Sequence, residues 1–290
     1  MTRLNNQLKT IILLGALSAL LIAVGNVVAP GHLGVLAILA LGMNLGAYFF
    51  SDRLVLRMHG AREIDAAQEP KLHGMVRELA ARAQIPMRRV FLIDDPQPNA
   101  FATGRDPAHG VVAVTSGILE ILSARELRGV LAHELAHIRN RDILISTIAA
   151  CVTGVITYAA HAVGFFGMGS HGDKDGAHAS PFAGILMALV APLAATIIQL
   201  GISRSREYLA DEAGAEISGD PLALASALAR LEEAASVVPS ATAQPATASL
   251  FIVNPFAGGE RMTRLFSTHP ATADRIARLE AIAGGRRLGD

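Results

Sequence analysis

Three residues of the 290-residue chain, His133, Glu134 and His137, fall in the order H-E-x-x-H inside GVLAHELAHIRNRD, Gly129 to Asp142. Residues four apart share one face of a helix, so the two imidazoles can hold a single metal ion while Glu134 reaches a water beside it. This is the chemistry of a hydrolytic zinc site, one Zn2+ per chain. Glu134 would be the general base, taking a proton from the activated water and handing it to a leaving amine. With 10 His in the chain, the pattern arises by chance in roughly one or two of every hundred such sequences. The setting strengthens it: no helix breaker occurs from Glu126 to Arg139, and Ser123 with Glu126 fits a capping box.

A catalytic zinc takes three protein ligands and leaves one position open. Cys151 is the one cysteine, so a thiolate-based site is excluded and the third ligand must be His or carboxylate. His161, His171 and His178 fall in or beyond an apolar stretch. His171 and His178, with Asp173 and Asp175, read better as a solvated loop than as a second metal site. Glu207 lies just after that stretch, and helix arithmetic puts it about as far from the stretch as His137 is, about 7.5 and 9 Å of helix. Its competing reading is an ion pair with Arg204 or Arg206. Asp211, four residues on and on the same face, could accept the free ring N–H of a ligating histidine, against the reading of an ordinary surface Asp. Tyr208 or His269 could supply an oxyanion donor, and spacing does not choose between them. His59, His73 and His109 have no partner at ligand spacing and read as surface or boundary residues.

The elements that must position these residues include membrane. The chain is 51% hydrophobic and 17% charged with a mean hydropathy of +0.40, values that leave much apolar surface to face lipid. Net charge is zero, and no basic stripe with interleaved aromatics marks a nucleic-acid surface, so nucleic acid is excluded as a partner. Thr10 to Ser51 holds no Asp, Glu, Lys or Arg and is broken only at Pro30-Gly31. It reads as a hairpin of two spans, 10–29 and 32–51, and as an uncleaved anchor rather than a signal peptide. A second charge-free pair, 143–166 and 181–202, flanks the loop with Asp173, and Pro192 and Gly184 interrupt its second member. Arginines flank both pairs on the same side, which places both termini and the metal site in the cytoplasm.

Between the pairs, Pro70 to Pro86 brackets an amphipathic helix. Arg89 to Ile93, Asn99 to Thr103 and Gly110 to Thr115 read as strands of a small antiparallel sheet leading into the metal helix. That helix is expected to run on into the bilayer, with Arg139 and Arg141 at the headgroup level. Asp220 should cap a helix from Pro221, residues 238–249 read as a mobile linker or lid, and Ser267 to Pro270 open a final helix. The expected division is 1–52 hairpin, 53–142 first protease part, 143–203 second hairpin and 204–290 second protease part.

Taken together, NAFATG at Asn99 to Gly104, HELAH at His133 to His137, REYLAD at Arg206 to Asp211 and STHP at Ser267 to Pro270 resemble the HtpX-type membrane zinc metallopeptidases. These belong to a wider group with the CAAX prenyl proteases, and the likeness covers nearly the whole chain. The resemblance implies an α-rich α+β zincin-like (gluzincin) domain with a small β-sheet, integrated with two transmembrane helical hairpins. It also implies zinc on His133, His137 and Glu207 with Glu134 catalytic. An edge strand at Asn99, Ala100, Phe101 and Ala102 would pair with extended substrate. The implied activity is endopeptidase quality control of damaged or misfolded membrane proteins and unfolded polypeptides at the bacterial inner membrane. Alternatives are processing of lipidated peptide ends, disfavoured by only two short hairpins, and a non-catalytic zinc scaffold, disfavoured by a ligand set of three.

Overall fold

The computed structural model describes residues 33–86, 89–144, 147, 148, 204–237, 250–253 and 270–285, with Gly31 and isolated positions before it. Nearly all of span 10–29, the second hairpin beyond Ile148, the linker 238–249 and His269 lie outside the described residues.

Helix α1, Leu33–Met58, covers the expected second span and continues through Asp52, Arg53 and Arg57. Val35, Ile38, Leu41, Leu45, Phe49 and Phe50 are exposed on it. Among the described residues no helix is long and apolar enough to cross a membrane. The lower end of α1 instead packs on protein, with Val55 and Leu56 buried against the sheet.

The sheet contains β1 (Arg62–Ile64), β2 (Arg89–Ile93), β3 (Ala100–Thr103) and β4 (Val111–Thr115), in the order β1-β2-β4-β3. It is mixed rather than antiparallel. β2 and β4 run parallel, Arg89 opposite Val111 and Ile93 opposite Thr115, while β1 and β3 pair antiparallel at the two edges. The expectation fails because the Asp, Pro and Gly clusters between the strands mark their ends but not which strands pair. In fact β3 lies between β2 and β4 in sequence but beyond β4 in space, which leaves room for a parallel pair.

Alternation along the strands divides the core. Val90, Ala100, Ala102, Val112 and Val114 face the main helical core, whereas Phe91, Ile93, Phe101, Val111 and Ala113 face Val55, Leu56 and Leu250. β4 is buried on both faces, in keeping with its unbroken apolar run VVAV. The helical layer holds α2 (Pro70–Arg82), the short α3 (Ser116–Ile121), α4 (Ala124–Asn140), α5 (Arg204–Ser218), α6 (Pro221–Val237) and α7 (Thr272–Ala283). α2 starts on Pro70 as expected and ends where Gln84 takes a left-handed φ of 57°. The N–H groups of Gln84 and Ile85 then return to the carbonyls of Ala81 and Ala80. α4 lies at the centre, burying Val130, Leu131, Leu135 and Ile138 against the sheet and the helices around it.

Candidate metal centre

The ends of α4 fix the site. At its start the capping box is complete: the Glu126 N–H donates to Ser123 Oγ at 3.3 Å and the Ser123 N–H to Glu126 Oε2 at 2.9 Å. Glu126 Oε1 also accepts from Ser226 Oγ at 2.6 Å, which ties α6 to this end. At its other end Arg141 adopts a left-handed conformation, φ 59°, and stops the helix. The expected straight run into the next apolar segment is therefore corrected. The turn has a consequence for the site, because it swings Asp142 back until both carboxylate oxygens lie 3.2 Å from His137 Nδ1.

α5 crosses α4 closely enough to bring a second set of side chains. A Cβ built at Gly214 would stand 2.9 Å from the Cα and backbone N of His133, so only glycine permits this approach. Glu207, Asp211 and Gly214 fall on one stripe of α5, and the stripe faces His133. Glu207 Oε2 lies 3.8 Å from His133 Nε2, and Glu207 Oε1 lies 3.7 Å from His137 Nε2. The two Nε2 atoms are 3.1 Å apart. One ligand atom from each of His133, His137 and Glu207 falls within 4.8 Å of the other two.

The protonation logic shows what such a cluster accepts. His133 Nδ1 faces Asp211 Oδ1 at 2.9 Å, and His137 Nδ1 faces Asp142. With a carboxylate beside each Nδ1, the two Nε2 atoms turn toward one another beside Glu207, 3.1 Å apart, where without a metal a proton on one is shared with the other. A divalent cation would take the place of that proton, and imidazole with carboxylate is a donor set that fits a first-row divalent metal. Burial pushes the His133 pKa down. At His137 burial acts the same way but is outweighed by Asp142, Glu207 and Glu134, and the pKa rises to about 10. Burial, with Glu207 adding to it, carries Glu134 up to about 7. At Asp211 burial favours the neutral acid, yet the Arg275 guanidinium outweighs it and holds the pKa low.

Glu134 does not point at the ligands' backs but across to the sheet, where its Oε2 accepts the Ala102 N–H at 2.9 Å. β3 is thus the edge strand nearest the cluster. Asn99, just before it, is already engaged: its carbonyl accepts from Thr115 N–H at 2.9 Å and its Oδ1 from Ile252 N–H at 3.1 Å. Tyr208 is half-buried with its ring under the Arg278 guanidinium of α7, 4.2 Å from the centroid. His73 bonds the Ile64 carbonyl and His109 bonds Asp106, both local braces. His59 is buried, 3% exposed, rather than at the surface or boundary as expected, with its ring beside those of Phe101 and Phe251.

Two side chains in contact with the cluster escaped sequence reasoning. Asp142 was passed over because its role depends on the turn at Arg141. Arg275, 1% exposed, had a usable signal: it lies four residues from Leu279 on the apolar face of an amphipathic helix, where a solvated arginine does not belong.

Two helix-borne imidazoles, an intervening buried glutamate and a carboxylate from a neighbouring helix, set against a sheet edge, define a metallopeptidase arrangement. The family model described as "Peptidase family M48" matches residues 66–283, from just before α2 to the end of α7, and the chain belongs to that family. It is 54% identical over 281 residues to the "Protease HtpX homolog" of Burkholderia mallei (strain SAVP1) and to that of Burkholderia pseudomallei (strain K96243). Each match covers 96% of this chain and 97% of the relative. Among solved structures it is similar to Ste24p of S. mikatae, with a TM-score of 0.52 and 17% identity over 96% of this chain. The chain spans 66% of that protein's length, and at such identity the likeness speaks for the fold alone.

Proposed function

We propose that the chain is a zinc endopeptidase of the bacterial cytoplasmic membrane that cuts cytoplasmic segments of damaged or misfolded membrane proteins. The observation that carries the reading is the convergence of His133, His137 and Glu207 at the point where Glu134 meets the sheet edge. When bound, zinc supplies Lewis acidity to a water and to the peptide carbonyl. His133 and His137 would hold it through Nε2, with Asp211 and Asp142 fixing the ring tautomers from behind. Glu207 closes the set of three protein ligands.

Glu134 is not needed to complete that set, which frees it for proton transfer. It is buried and raised to about 7, and so is matched to taking a proton from water near neutral pH and releasing it to the leaving amine. This argues against a purely structural metal. β3 supports an extended substrate mode: it is the outer strand of the sheet, and its Ala102 N–H is directed at Glu134, so a strand laid alongside would run past the base. The oxyanion donor beyond the metal would be Tyr208 or His269.

The membrane part of the proposal keeps the hairpins 1–52 and 143–203, with residues 53–142 and 204–290 forming the cytoplasmic protease. The exposed apolar residues of α1 support it, because a row of Val, Ile, Leu and Phe is favourable in lipid and unfavourable in water. A metal held at the base of such helices favours chains emerging from the same bilayer. In proteoliposomes, an unfolded segment tethered to the same membrane should be cut faster than the identical segment free in solution. Equal rates at equal bulk concentration would count against the membrane-surface reading.

A further inference from the structure

We propose that Arg275 is a positioning residue of the metal centre, acting on His133 through Asp211 and joining that pair to the segment at residues 250–253. The proposal rests on the reading of His133, His137 and Glu207 as metal ligands. Arg275 projects from α7, the last helix, into the space behind α5. It is the largest fully buried side chain among the described residues. Nε donates to Asp211 Oδ2 at 2.9 Å, Nη2 to Asp211 Oδ1 at 2.7 Å, and Nη1 to the Ile252 carbonyl at 3.2 Å, while Nη2 also lies 3.4 Å from His133 Nε2 and Nη1 3.9 Å from Glu207 Oε2, both longer than the contacts to Asp211.

A guanidinium that bonds both carboxylate oxygens fixes the plane of the carboxylate as well as its position. Asp211 has a second task that depends on that plane, because Oδ1 also meets His133 Nδ1 at 2.9 Å. Rotation of Asp211 would turn the imidazole and take its Nε2 away from His137 and Glu207. Lysine cannot replace the fork, since an ammonium is a point charge that leaves the carboxylate free to turn. The third donor extends the chain of contacts. Ile252 is gripped on both sides, its carbonyl by Arg275 and its N–H by Asn99 Oδ1, so Ile252 links the residue before β3 to the support of His133.

The test uses full-length protein in detergent and compares wild type, Arg275→Lys, Asp211→Asn and Asp211→Asn with Arg275→Gln. The last pairs two neutral amides, leaves no unpaired buried charge, and guards against loss of folding in the single variants. Zinc affinity is read by chelator competition, and the ligand field by the visible spectrum of the Co2+ form. Arg275→Lys and Asp211→Asn should each weaken zinc binding by about 10- to 100-fold and shift the cobalt bands, as loss of an outer partner of a ligating histidine does. Adding Arg275→Gln to Asp211→Asn should lower affinity no further. The proposal is overturned if Arg275→Lys keeps wild-type affinity and spectrum, or if Arg275→Gln lowers affinity again in the Asp211→Asn background. Wild type that binds no metal would overturn the metal-ligand reading itself, a result distinct from either.

Discussion

Glu134→Gln is expected to bind metal as the wild type does and to lose peptide cleavage by about 10²- to 10⁴-fold, the range a positioned general base contributes. Glutamine keeps the shape and can retain the Ala102 N–H bond through its carbonyl oxygen, so the sheet edge and α4 stay in register. Only the capacity to take a proton is removed. Metal content by atomic absorption and turnover of an unfolded protein such as casein separate the two effects. The same residue sets the acid limb of the pH profile: a carboxylate raised to about 7 is lost as a base when the pH falls through that value. A cation at the three ligands lowers that value further, so kcat/KM should fall on the acid side at or below about pH 7. That limb should be missing from the residual activity of Glu134→Gln. A variant that cleaves at the wild-type rate would remove Glu134 from the mechanism.

Glu207→Ala is expected to lose metal affinity by more than the about 100-fold that removal of an outer partner costs, and to lose activity with it. Among the described residues, Glu207 is the ligand that α5 brings within reach of the Nε2 atoms of both His133 and His137. Its removal leaves two imidazoles and no closure of the cluster. Arg206 and Arg275 both feel Glu207 electrostatically, so two buried cations would then face a site with one fewer anion. Equilibrium dialysis against a zinc buffer reads the loss directly, and undiminished binding would move the third ligand elsewhere.

What could be read in the sequence was local. α4 announced itself by periodicity and by Ser123 and Glu126, and its ligand pair by the four-residue spacing, because helical geometry converts sequence offset into spatial direction. Glu207 and Asp211 were legible for the same reason once one was suspected. The sheet was harder. Its strands were placed almost to the residue, but pairing is a long-range property, and neither the parallel alignment of β2 with β4 nor the short β1 leaves a mark in the intervening turns. Asp142 depends on a left-handed arginine, a conformation that the sequence gives no reason to expect at Arg141. Arg275 reaches Asp211 from 64 positions away. Gly214 likewise looked like an ordinary helical glycine until the backbone of His133 was found against it.

The central claim, that a zinc ion held by this cluster is what makes the chain a peptidase, is tested most directly by titrating zinc into chelator-stripped protein in detergent while casein cleavage is followed. Cleavage should be absent in the stripped protein and rise in proportion to added zinc. It should level off at one equivalent per chain and stay absent in Glu134→Gln at every zinc level. Cleavage that persists in fully stripped wild-type protein, or that returns equally in Glu134→Gln, would contradict the account.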